Sequence, residues 1–170
     1  VPEQGASAVS DIRRDLAKTY SEALRESIGD SLVSVVLFGS VARGEATEHS
    51  DIDLLVVAEG LPVSRLVRQE VLRDADARVD ADLRRLMRAG DLVEIRPILK
   101  TPEEAQQTTA LYLDMVEDAL LLFDRDGFFA GVLAGLRQSL ERLGARRIRR
   151  GALRYWDLKP DYRPGDVFHI

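Results

Sequence analysis

Gly39-Ser40, followed ten residues later by Asp51-Ile52-Asp53, is the part of this sequence best equipped for chemistry. Carboxylates two apart on a strand share one face, so Asp51 and Asp53 would stand side by side. Their repulsion is relieved by a divalent cation, and hard oxygen donors suit magnesium or manganese. A Gly-Ser step between a strand and a short helix turns backbone N–H groups and a hydroxyl outward, where they can receive phosphate oxygens. Glycine lets the phosphate come close to the backbone. A metal-binding pair beside a phosphate cradle is the minimum apparatus for nucleotidyl transfer, in which the ion neutralises the transferring and leaving oxygens. Arg43 suits either a phosphate contact or a pair with Glu45 or Asp51.

These residues need elements to hold them. Residues 10–29 read as an amphipathic helix capped by Ser10, with Ile12, Leu16, Tyr20, Leu24 and Ile28 on its inner stripe. The apolar run 32–38 predicts a strand buried on both faces, a short helical turn follows over Ser40–Arg43, and 51–57 predicts the acidic strand. A helical stretch from Pro62 or Ser64 to about Arg88, bent around 76–80, leads to a third strand over 92–99, with Pro97 marking an edge or an end. Thr101-Pro102-Glu103-Glu104 is a capping box opening a helix to about Glu117. Residues 119–123 are a fourth strand, 124–127 a turn, and 128–143 a helix stopped by Gly144. The tail from Arg154 onward reads as irregular and aromatic.

The string LFGSVARGEATEHSDIDLLVV resembles the signature of the DNA polymerase beta-like nucleotidyltransferase superfamily, in particular its minimal, antitoxin-type nucleotidyltransferases. The match is concentrated in residues 32–57, and its force lies in the coincidence of strand, glycine turn, spacing and acidic strand. The resemblance implies an α/β (α+β) fold, with a mixed sheet of about four strands and helices mainly on one face. It also implies that Gly39 and Ser40, with Arg43 as a further candidate, hold the triphosphate. Asp51 and Asp53 would bind the metal ions, and a third carboxylate from a later strand would help activate the attacking hydroxyl. Glu94 is the candidate for that third metal-binding and catalytic position, with Asp91 in reserve. The activity implied is transfer of a nucleoside monophosphate, AMP from ATP by analogy or another nucleotide, to a hydroxyl. A tyrosine of a partner HEPN-type toxin is one acceptor and a small molecule such as an antibiotic another. A catalytically inactive nucleotide-binding or protein-interaction module of the same fold is the alternative.

Composition limits the rest. The chain has 170 residues, 45% hydrophobic and 31% charged, and reads as one domain with a core over about 10–124 and a C-terminal helix and tail over 127–170. Its lack of cysteine excludes disulfides and thiolate zinc sites, and two histidines are too few for a multi-histidine metal site. A net charge of −5 argues against sequence-independent nucleic-acid binding, leaving only a local basic patch. That patch would be Arg142, Arg146, Arg147, Arg149, Arg150 and Arg154, read either as a solvated helix end or as a surface for anions. His49 reads as a loop residue. Asp114, Glu117 and Asp118 read as a solvated helix face. With neither a membrane-length apolar run nor a signal peptide, the expected location is the cytoplasm.

Overall fold

The computed structural model describes residues 3–170 apart from Ala152, Pro164 and His169. Its centre is a four-stranded mixed sheet, formed by β1 (Leu32–Phe38), β2 (Ile52–Ala58), β3 (Ile95–Lys100) and β4 (Leu120–Asp124) in the order β3-β2-β1-β4. β1 runs antiparallel to β2 and β4, while β2 and β3 are parallel. Every residue of β1 is buried.

Such continuous apolar strands need cover on both faces, and the helices supply it on both, not mainly on one as expected. Val35, Leu37, Leu54 and Val56 face α1 (Glu3–Ile28) and α4 (Arg73–Arg88), meeting Ala17, Tyr20, Leu24 and Val79. Val36, Phe38, Leu55 and Val57 face the other way. They meet α5 (Pro102–Gln106), α6 (Ala110–Asp118) and α7 (Phe128–Arg142) through Ala105, Tyr112, Met115, Phe129 and Leu136.

Several boundaries differ from the sequence reading. α1 begins before Ser10, since Ala6 and Ala8 are strong helix formers. Ser10 is therefore an interior residue, and its hydroxyl accepts from the Ala46 N–H at 3.1 Å. The stretch before α4 breaks earlier than 76–80: α3 (Arg65–Arg68) passes through a 3-10 turn at Gln69–Leu72. Thr101 forms the expected capping box, but its helix ends at Gln106 and α6 starts afresh after the Thr109 N-cap residue. The segment 124–127 does turn: Asp126 adopts φ 53°, and the Asp124 carboxylate accepts the N–H groups of Phe129 and Ala130 at 2.9 and 3.0 Å. The tail is not irregular throughout, for β5 (Arg146–Arg150) and β6 (Leu153–Asp157) form an antiparallel hairpin. Only Ile148 interrupts four arginines in β5, so apolar alternation cannot reveal that strand.

Candidate active site

The site lies at one end of β1 and β2. β1 leads directly into α2 (Gly39–Ala42), and Phe38 is in register with Asp53 across the β1–β2 pair. Gly39 adopts φ +75°, and a Cβ added there would lie 2.6 Å from Asp53 Oδ2. No other residue type fits that place without moving the acid. Ser40 is half-buried, and among the described residues no hydrogen bond engages its hydroxyl. Its carbonyl accepts the Glu45 N–H at 2.9 Å, which folds the following loop back onto the turn.

Asp51 stands just before β2, where Ile52 N–H donates to Glu94 O at 2.8 Å. One oxygen of Asp51 accepts the Glu94 N–H at 3.1 Å, and the other meets Arg96 Nη1 at 2.8 Å. Asp53 differs from it. Among the described residues, no hydrogen bond or ion pair holds the Asp53 carboxylate. Burial pushes its pKa up from the ordinary aspartate value, Arg96 draws it back, Asp51 raises it and Arg43 lowers it. A half-buried acid with no bonded partner, beside a second acid and against a glycine that leaves it room, is a donor set that fits a hard divalent cation.

Glu94 is brought to the same edge, just ahead of β3 and not within it. Its carboxylate is 73% exposed and lies 3.4 Å from Arg96 Nη2. Among the described residues, no three His, Cys, Asp or Glu side chains are gathered as a metal cluster. Asp91, the reserve candidate, is engaged elsewhere, 2.7 Å from Arg13 Nη2. Arg43 pairs with Glu45 at 3.1 Å, and Glu45 is held below its usual pKa mainly by Arg154 and further by Arg43. His49 is a loop residue beside Glu48.

Two arginines that shape the site escaped the sequence reading. Arg96 is the direct partner of Asp53 in the parallel β2–β3 register, so a cation belonging to the chain stands among Asp51, Asp53 and Glu94. Arg13 is fully buried, and it donates to Ser50 O at 2.8 Å and Glu48 O at 3.2 Å as well as binding Asp91. It thereby ties α1 to the loop before Asp51 and to the loop before Glu94. Its position carried a signal: Arg13, Ala17, Tyr20 and Leu24 share one helical stripe, whereas Ile12 is 49% exposed. A further correction concerns Glu117 and Asp118, which are not simply solvated but both pair with Arg147.

A mixed sheet with a Gly-Ser turn facing an Asp-x-Asp strand defines a nucleotidyltransferase class of protein. Residues 17–114 match the nucleotidyltransferase domain family, and the chain belongs to that family. It is 34% identical over 126 residues to a candidate protein adenylyltransferase of Methanocaldococcus jannaschii, covering 73% of this chain and 80% of the relative. Among solved structures, a candidate nucleotidyltransferase from Sulfolobus solfataricus aligns at 27% identity with a TM-score of 0.44, over 71% of this chain and 89% of that one. A toxin–antitoxin structure with AMP-PNP aligns at 16% identity and TM-score 0.43, over 75% and 92%. Among the described residues, no helix is long and apolar enough to cross a membrane.

Proposed function

We propose that this chain transfers AMP from ATP to a hydroxyl on a partner protein, with Asp51 and Asp53 holding magnesium and Gly39 and Ser40 receiving the triphosphate. The observation that carries this reading is the Asp53 carboxylate, half-buried without a bonded partner, beside a glycine that must remain a glycine. When bound, magnesium would neutralise charge on the transferring and leaving oxygens. The chain supplies the rest. The Gly39-Ser40 turn offers a hydroxyl and close backbone approach to the phosphates, and Arg43, at the C-terminal end of α2, adds a cation at the same turn. Glu94, whose backbone N–H bonds Asp51 and whose carboxylate lies in solvent beside Arg96, would take the proton from the attacking hydroxyl. The attacking oxygen forms its bond to the α-phosphorus as the bond to the pyrophosphate oxygen breaks.

The M. jannaschii relative's designation as a protein adenylyltransferase supports a protein acceptor. On the motif resemblance, a tyrosine of a HEPN-type toxin is the first acceptor to test. Calorimetry with each ribonucleoside triphosphate, with and without magnesium, tests the nucleotide half. Wild type should bind ATP only with magnesium, and Asp51→Asn/Asp53→Asn should not bind. A folded wild type that ignores every nucleotide at millimolar concentration would overturn the reading.

A further inference from the structure

The β5–β6 hairpin lies beyond the family-matched residues 17–114, yet it is fastened against the nucleotide turn. Arg154 pairs with Glu45, whose N–H is bonded to Ser40 O, so a single residue bridges hairpin and turn. At its other end Arg147 pairs with both Glu117 and Asp118 of α6, and Trp156 Nε1 donates to Leu113 O at 2.9 Å. A cleft of about 430 Å³ is left between hairpin, turn and α6. Arg43, Arg147, Arg149 and Arg154 line it, against Glu45, Glu117 and Asp118.

The charges do not cancel. Glu45 is shared between Arg43 and Arg154, while Arg147 takes both α6 acids. Arg149 is left over: its Nε reaches Gly151 O at 3.4 Å, and among the described residues no carboxylate pairs with it. In a chain of net charge −5, a walled cleft with a surplus guanidinium is a local reversal of sign. Guanidinium groups recognise phosphate and carboxylate by paired, charge-assisted hydrogen bonds. Because Arg43 belongs to both the cleft and the turn, an anion held there sits next to the transferring phosphate.

We infer that this cleft is the acceptor's docking site, and that the acceptor enters with an oxyanion, phosphate or carboxylate, close to its reacting hydroxyl. The inference rests on the nucleotidyltransferase reading and deepens it. The family-matched segment provides the nucleotide apparatus, and the hairpin beyond it selects what receives the nucleotide.

The test uses inorganic tripolyphosphate as probe, in calorimetry at low salt. In EDTA, wild type should bind it and Arg149→Glu should weaken binding about tenfold or more, the loss of one charge-assisted contact. Arg84→Glu, the same charge change on distant α4, should leave binding close to wild type. Binding should persist when the protein is saturated with magnesium and a non-hydrolysable ATP analogue, because the surplus cation, Arg149, lies outside the nucleotide turn. No binding in EDTA, or equal losses in Arg149→Glu and Arg84→Glu, would overturn the inference. So would full competition with the analogue, which would give the cleft to the nucleotide's own phosphates. Failure of the nucleotidyltransferase reading shows separately, as absence of magnesium-dependent analogue binding.

Discussion

Two of the antiparallel strand pairs, β1–β2 and β5–β6, have opposite character. β1 and β2 are sealed between helices, with all of β1 and all of β2 except Asp53 buried. β5 and β6 are joined at Gly151, and no described residue of theirs is buried. The first pair is held by apolar area removed from water, which salt barely affects. The second is held partly by Trp156, which packs on the core and donates to Leu113 O, and partly by Arg147 and Arg154 reaching acids on α6 and the loop after α2, a kind of contact that salt screens. The difference separates them: the sealed pair fixes the acids, and the charge-fastened pair forms one wall of the proposed acceptor cleft.

The comparison breaks most severely at Leu54, whose side chain is fully buried in β2. Leu54→Ala should cost about 2–5 kcal/mol in denaturant unfolding, with little dependence on salt. Next comes Gly39→Ala. A left-handed φ costs an L-residue about 1–2 kcal/mol. The new Cβ would also crowd Asp53 Oδ2 at 2.6 Å, so magnesium-dependent nucleotide binding should vanish while the fold survives. Arg154→Ala should change global stability by less than about 1 kcal/mol, since its pair with Glu45 is partly exposed. Hydrogen exchange in residues 146–157 should nevertheless quicken, and high salt should have the same effect on wild type.

The smallest effect is a sign. Burial raises the folded pKa of Asp53, so its contribution to stability is present at low pH and lost as pH rises through the folded value. Without metal, Asp53→Asn should therefore raise Tm at neutral pH, and the gain should shrink as pH falls through the raised folded value and be gone below the ordinary aspartate pKa. Magnesium plus nucleotide should reverse the order, stabilising wild type alone. An Asp53→Asn protein no more stable than wild type at neutral pH would show the acid to be satisfied after all.

What the sequence revealed followed from how each residue is held. β1 was legible to the residue because an unbroken apolar run has few other readings, and Gly39 because the turn and the close approach of Asp53 both demand glycine. The hairpin was hidden by its arginines, which carry no apolar period although Ile148 and Trp156 face partly inward. Arg13 and Arg96 were missed for another reason: the partners of Arg13 are 35 to 78 residues away, and Asp51, the partner that brings Arg96 into the site, is 45 away, joined only by tertiary packing. Helix coverage was misjudged because runs buried on both faces show that they are covered without showing by which helix.

The Arg13 network separates two boundaries that usually pass for one. The stretch that matches the nucleotidyltransferase domain begins at residue 17, four positions after the guanidinium that holds both acid-bearing loops. The matched domain and the mechanically intact one therefore have different edges in this protein. A fragment cut at the homologous border would keep Gly39, Ser40, Asp51 and Asp53 yet lose the strut that sets them in place.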